Sequence, residues 1–308
     1  MTGYENHAGF TIYDTKLQIV EVGSQDKQFL LENIAESYFN EPINFEKDKE
    51  TKVSALLQGA FNELILKKPL KCSAVSFTLP FELFYTAQLP FDNTLLHQDL
   101  VEEFRWELSI LHPYISTRDF VIQYIEIDKN EFVPLNTAVV VAIQRKYLQI
   151  LNNFCNQNNL KLKFVDNVHF ASEKALFVSD PLTVTGLVMS VYLDNKHFSI
   201  IFSYNGKPIY FTSSQLKDAS EIPGLIVKAI TQRDGFNINK NSISASFITG
   251  DNLSISLVQT LRDTLDIDFI QFNPFEKIKP RQQLIDNKLF SEQYNSFASA
   301  AGIAFRVA

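Results

Sequence analysis

Several things that mark whole classes of function are scarce in this sequence. Glycine occurs only 10 times in 308 residues. None of those glycines falls in a Walker loop, a dinucleotide fingerprint or a Gly-x-Ser-x-Gly nucleophile elbow. Cysteine occurs twice. Cys72 opens a predicted strand and Cys155 lies on a helical pattern, both among apolar residues, so both read as core filling in a reducing compartment. The five histidines, His7, His97, His112, His169 and His197, have no metal-ligand spacing with one another or with cysteine, so no zinc site is expected. Lysine and arginine do not cluster and the net charge is −7, whereas a broad nucleic-acid surface needs concentrated positive charge. No run approaches the roughly 18 to 20 apolar residues that span a bilayer, and the polar start from Met1 to Gly9 does not read as a signal peptide. The expectation is a folded cytoplasmic protein without nucleic-acid binding or direct membrane insertion.

The hydrophobic fraction of 45% suffices for ordinary buried cores, and the length suits two domains. A first hairpin spans Gly9 to Glu21, and Lys27 to Phe39 is read as a third strand. Helical spacing of Val53, Leu56, Leu57, Ala60, Phe61, Leu64 and Ile65 predicts the clearest helix, ended by Pro69. A strand follows over Cys72 to Leu79. Phe81 to Ile143 reads as a small α/β unit of strand, helix, strand and strand, with Leu96, Leu100, Phe104, Leu108 and Leu111 turned inward from its helix. After a helix over Arg145 to Asn158, a strand and a helix over Val168 to Phe177, Pro181 and Gly186 mark a boundary. Beyond it, Leu187 to Leu193, His197 to Tyr204 and Lys207 to Thr212 form a second meander, with Asn205-Gly206 as a hairpin turn needing positive φ. Helices over Ser220 to Arg233 and Leu253 to Leu265, strands over Ser244 to Thr249 and Asp268 to Phe272, and a small-residue helix over Ser291 to Arg306 complete the chain.

Each half thus begins with a three-strand meander and continues with alternating helices and strands. That duplication, with Gly9 to Glu21 and Val191 to Tyr204 as matching hairpins, resembles the plan of the actin/Hsp70/hexokinase superfamily. Within it the chain resembles the PilM family of actin-like components of type IV pilus machines, whose relatives include the cytoplasmic part of type II secretion platform proteins. The likeness rests on the inserted unit with its acidic, Phe-containing helix, Val101-Glu102-Glu103-Phe104-Arg105-Trp106-Glu107. It rests also on Phe164-Val165-Asp166-Asn167-Val168 running into a helix, on Tyr204-Asn205-Gly206-Lys207-Pro208, and on Phe272-Asn273-Pro274-Phe275 with the Ala-rich tail Phe297 to Arg306. The resemblance implies an α/β, actin-like fold of duplicated ribonuclease H-like domains. Domain I is expected over 1–80 and 145–185, with an inserted subdomain over 81–144. Domain II is expected over 186–290, and a C-terminal packing helix over 291–308.

An actin-like ATP site needs glycine at its hairpin tips, where the backbone approaches phosphate, and carboxylates to anchor hydrated Mg²⁺ and orient water. The resemblance places those positions at Thr11 and Tyr13 in the first hairpin and Tyr192 and Asp194 in the second. The adenosine loop, glycine-rich in the family, reads Thr249-Gly250-Asp251-Asn252. Both acids are replaced by neutral residues and one tip carries a bulky ring, so no catalytic residue, no metal and no cofactor are expected, with ATP and Mg²⁺ as the alternative. Asp14 and Asp194 are read as solvated turn aspartates. Glu102, Glu103 and Glu107 are read as a solvated helix face.

The implied function is a non-catalytic scaffold, a pseudo-ATPase, of a type IV pilus or type II secretion inner-membrane platform. Its expected partner is the short cytoplasmic tail of a bitopic, PilN-like inner-membrane protein, together with other platform proteins, and its place is the cytoplasmic side of that membrane, held there by the partner. The resemblance puts tail binding in the region Phe81 to Asp128, and Trp106, two residues from Phe104 and off the apolar stripe, is a candidate anchor. Two alternatives stand beside this reading: an ATP-binding or ATP-hydrolysing actin/sugar-kinase superfamily enzyme, and a degenerate actin-like protein of unrelated role.

Overall fold

The computed structural model describes residues 6–25, 28–179, 185–231, 236, 238–251 and 253–307. Three sheets organise them. In the first half, β1 (His7–Ile12), β2 (Lys16–Gln25) and β3 (Gln28–Tyr38) form an antiparallel meander, followed by α1 (Glu50–Lys67) and β4 (Ala74–Leu79). The inserted unit contributes β5 (Phe84–Pro90), α2 (His97–Leu111), β6 (Phe120–Ile127) and β7 (Thr137–Gln144). The chain then returns through α3 (Arg145–Gln157), β8 (Lys161–Asn167) and α4 (Val168–Ser179). The second half repeats the plan with β9 (Leu187–Leu193), β10 (His197–Tyr204), β11 (Lys207–Gln215), α5 (Ile222–Thr231), β12 (Ile243–Gly250), α6 (Ile255–Leu265) and β13 (Phe269–Gln271). It closes with β14 (Lys279–Pro280), α7 (Lys288–Ser291) and α8 (Ala298–Ala304).

The strand orders are β14-β3-β2-β1-β4-β8, β11-β10-β9-β12-β13 and β5-β7-β6. In both large sheets the first strand of the meander pairs antiparallel with the second and parallel with the strand that follows the next helix. This shared wiring is the duplication expected from the two hairpins. Strands β1, β4, β9 and most of β10 are buried along their length, because helices or loops cover both faces, and their continuous apolar runs follow from that.

Helices α4 and α8 pack closely, with Ala171 and Ala175 of the one against Gly302 of the other. A Cβ on Gly302 would stand 1.7 Å from the Ala171 carbonyl oxygen, so the two backbones meet closely only because that position has no side chain. The phenyl rings of Phe297 and Phe305 flank the crossing, fully buried.

Three expectations are corrected, and one strand stands where none was expected. The C-terminal helix read over Ser291 to Arg306 is regular only over α8, with 3-10 turns at Tyr294–Phe297 and Phe305–Val307. The carbonyls of Asn295 and Ser296 accept hydrogen bonds from Thr249 Oγ1 and Tyr13 Oη, so side chains from elsewhere take acceptors that lie in its irregular entry. Leu96 and Leu111, read as inward, are 74% and 52% exposed; Leu96 is the extended N-cap residue and Leu111 the last helical residue, beyond the stretch that faces the sheet. Strand β14 had no periodic signal because two residues are too short to show one, yet it joins the edge of the first sheet parallel to β3. The helix read over Ser220 to Arg233 begins with a 3-10 turn at Ala219–Glu221, and Gln232 and Arg233, like Pro181 and Asn252, lie outside the described residues.

Candidate functional site

The matching hairpin turns face each other across the two halves. In the first, Tyr13 N–H donates to the Lys16 carbonyl at 2.9 Å; in the second, Asp194 N–H donates to the His197 carbonyl at 3.0 Å. The turns Tyr13-Asp14-Thr15-Lys16 and Asp194-Asn195-Lys196-His197 therefore share one geometry. Their last residues make parallel use of it. Lys16 reaches across to Asp251, just after β12, at 2.9 Å, and His197 Nε2 reaches back to Glu82, just after β4, at 3.3 Å. A third pair, Lys196 Nζ to Asp14 at 2.5 Å, joins the turn tips directly.

These pairs differ in worth. Lys16, Asp251 and Glu36, the last at 3.2 Å, are each about nine-tenths buried. Burial pulls the lysine pKa down, but Asp251 and Glu36 outweigh it and hold Lys16 above its ordinary value. For His197, burial lowers the pKa, and Asp194 at 3.3 Å together with Glu82 more than compensates, so the ring is held above the usual histidine range. Burial raises Glu82 despite the neighbouring His197. Lys196–Asp14 is more exposed, at 59% and 32%, and contributes correspondingly little.

Below the turns the cleft is filled. Tyr13 Oη donates to the Ser296 carbonyl and lies 3.2 Å from Tyr192 Oη. A phenol has one proton, so Tyr192 is the donor in that pair. The Tyr192 ring is 1% exposed and packs edge-on against Phe81, centroids 5.5 Å apart, and 5.8 Å from the His169 ring. Thr11, fully buried, accepts from Thr78 Oγ1 at 2.8 Å. Between the turns there remains a cavity of about 30 Å³, bordered by Tyr13, Asp14, Glu82, Asp194, Lys196 and Asp251. A second, larger cavity of about 320 Å³ opens on the other side of Asp194 and Asp251, against Leu216, Lys217, Asp218 and Leu253.

Gly250, the surviving glycine of the expected adenosine loop, has φ +138°. A Cβ there would stand 1.7 Å from the Leu193 carbonyl oxygen, which accepts the Asp251 N–H at 3.0 Å. Its lack of a side chain seats one strand end against the next hairpin. Beneath Tyr192 lies a polar layer between α4 and the second sheet. His169 sits between Ser199 and Ser190 at 2.7 and 2.9 Å, and Glu173 accepts from Ser203 Oγ at 2.5 Å. Burial drives His169 down to about 3, leaving it neutral, and drives Glu173 up to about 7.

Of the residues singled out in the sequence, Tyr13, Tyr192, Asp194 and Asp251 converge on the cleft, with Thr11 and Thr249 in the strands behind them. Asp14 and Asp194 lie in the turns as expected but are not simply solvated: Asp14 pairs with Lys196 across the gap, and Asp194, its side chain 14% exposed, accepts from the backbone N–H groups of Lys196 and His197 within its own turn. Sequence reasoning passed over Lys16, Glu82, Lys196 and His197. The signal available was a basic residue near the end of each four-residue turn, and only the pairing of the halves gives it meaning.

The region Phe81 to Asp128 divides three ways. Phe81 is a wedge at the cleft, against Tyr192 and Phe211. One face of the three-stranded sheet covers α2, burying Leu100, Phe104 and Leu108 with Phe120, Ile122 and Val140. The other face, through Ile127 and Val139, shares a core with Ile209 and Phe211 of the second half, and Gln88 Nε2 donates to the Ile209 carbonyl at 2.9 Å. Trp106, 61% exposed, lies on the side of α2 turned away from this sheet.

No protein-family model and no curated protein sequence matches the chain. Solved structures do match in fold. A chain of a PilM-PilN type IV pilus biogenesis complex superimposes with a TM-score of 0.77 at 17% identity, covering 98% of each chain. A Bacteroides thetaiotaomicron protein of actin-like ATPase fold and unknown function gives 0.56 at 12% identity, covering 98% of this chain and 96% of that one. The cytoplasmic domain of EpsL, an inner-membrane component of the Vibrio cholerae type II secretion system, gives 0.48 at 11% identity over 88% and 98%. The fold of this chain is actin-like.

Proposed function

We propose that the chain is a non-catalytic actin-like scaffold of a type IV pilus or type II secretion inner-membrane platform, binding the short cytoplasmic tail of a bitopic, PilN-like membrane protein. The observation that carries the reading is the filled cleft. Where an actin-like ATPase would hold phosphate and Mg²⁺, Tyr13 and Tyr192 meet through their hydroxyls and the nearby acids pair with Lys16, Lys196 and His197. Groups engaged in this way join the halves. The likeness over 98% of the chain to a chain of a PilM-PilN type IV pilus biogenesis complex supports a place among the proteins of such a platform. Among the described residues no helix is long and apolar enough to cross a membrane, so attachment to the platform would run through the partner, from the cytoplasmic side.

The test has two arms. Calorimetric titration with MgATP, with phosphate release followed in parallel, is expected to show neither heat nor turnover; micromolar binding with turnover overturns the reading in favour of an enzyme. Affinity purification from native cells with detergent-solubilised membranes is expected to recover a single-pass protein with a short cytoplasmic tail. Recovery of soluble metabolic partners alone counts against the scaffold.

A further inference from the structure

A second surface, separate from the cleft, stands on the outer side of the inserted subdomain. Four large apolar side chains are bare within one short stretch: Trp106 at 61%, Ile110 at 54%, Leu111 at 52% and Tyr114 at 99%. Trp106 and Ile110 are one helical turn apart on α2, so they share a face, and that face points away from the sheet that buries Leu100, Phe104 and Leu108. Exposed aromatic and aliphatic groups held together on a regular helix are the composition of an interface centre.

The charge around them is one-sided. Helix α2 carries Asp99, Glu102, Glu103 and Glu107 against a single cation, Arg105. That cation is turned back onto the subdomain, where Nη1 donates to the carbonyls of Thr117 at 2.5 Å and Phe120 at 3.2 Å, with Glu102 3.3 Å from its Nε. The acids at 102 and 103 are exposed. The face is therefore an apolar stripe continued by an acidic one. Anionic lipid is disfavoured by those carboxylates, and a second copy of a chain with net charge −7 brings more of the same sign.

We propose that the outer face of α2 docks a basic amphipathic helix of a partner protein, whose apolar side chains cover Trp106, Ile110 and Tyr114 and whose lysines or arginines meet Glu102 and Glu103. This rests on the reading of the Phe81 to Asp128 region as a partner-binding surface, within which α2 and Trp106 lie; MgATP binding with turnover would overturn that scaffold reading and leave the peptide result standing.

Trp106 is the sole tryptophan of the chain, so its emission reports on this face alone. The probe is a synthetic 18-residue Leu/Lys amphipathic helix without tryptophan, with an isosteric Leu/Glu helix as control. The full chain is expected to bind the lysine peptide with Kd on the order of 10 μM and a blue shift of Trp106 emission, and to ignore the glutamate peptide. By calorimetry, Trp106→Ala is expected to weaken binding about tenfold or more, and Glu102→Lys/Glu103→Lys severalfold, with an unchanged thermal midpoint. Four results overturn the proposal: equal affinity for both peptides, undiminished binding by the variants, a blue shift with protein concentration alone accompanied by dimers in sedimentation, or a blue shift on anionic vesicles.

Discussion

Removing the Tyr192 ring tests whether the cleft is a packed core. The side chain is 1% exposed, with Phe81 and His169 on its ring and Tyr13 on its hydroxyl. Tyr192→Ala deletes a phenyl-sized volume from a site that α4 and the hairpins keep from collapsing, so the loss is expected near that of a buried phenylalanine, about 3–5 kcal/mol. Tyr192→Phe keeps the ring and gives up one hydroxyl pair, at about 1 kcal/mol. At about 2–4 °C per kcal/mol for a chain of this size class, the alanine variant melts on the order of 10 °C lower, and urea titration resolves it from the phenylalanine variant. The cavity created does not restore MgATP binding, since Thr11 still stands where an acid would be needed and Asp14 and Asp251 remain paired with lysines. Equal destabilisation by the two substitutions, or micromolar MgATP affinity in Tyr192→Ala, would refute the reasoning.

The other predictions concern the charges and the helix crossing. Lys16→Met removes the cation that Asp251 and Glu36 share in a mostly buried site and should cost about 3 kcal/mol, whereas Lys196→Met, at an exposed pair, should cost under about 1 kcal/mol; denaturant titrations at pH 7 compare them. Glu173 is lifted by burial from its ordinary 4.5 to about 7, so the folded state holds its proton more tightly than the unfolded chain. Its contribution is fully present below about pH 4.5 and is lost as pH rises to about 7, a change on the order of 3 kcal/mol. Neutral His169, lowered to about 3, has the opposite sign, losing stability as pH falls below about 6.5. Subtracting the pH–stability curve of Glu173→Gln from that of the native chain should therefore isolate a difference that shrinks from pH 4.5 to 7; a flat difference would show that Glu173 titrates normally. Gly302→Ala places a methyl 1.7 Å from the Ala171 carbonyl oxygen, and forcing α4 and α8 apart should cost about 3 kcal/mol or more, seen as a lowered melting midpoint or failure to accumulate folded protein.

Much of the architecture was legible because it is local. Strands β10 and β11 fall on either side of the Asn205-Gly206 turn, with φ of 49° and 78° at those two residues, and α1 follows a stripe of Val53, Leu57, Phe61 and Leu64 that needs no partner to be recognised. The C-terminal segment was misjudged for the converse reason. Its small residues promise a long helix, and the cleft, through Tyr13 and Thr249, claims the carbonyls at its entry.

The sequence by itself determined the duplicated order of strands and helices, because residue type and spacing belong to a chain before it folds; that Thr11 and Tyr192 stand where acids are expected, and Tyr13 where glycine is, is what the resemblance to the actin-like family implies. What occupies the gap was decided by tertiary structure alone. Tyr13 and Tyr192 are 179 positions apart, and so far as spacing goes Lys16 with Asp251 or Glu82 with His197 are unrelated. They become pairs only when two similar hairpins are brought face to face, because a contact between distant segments depends on the relative placement of two domains, which no local pattern encodes.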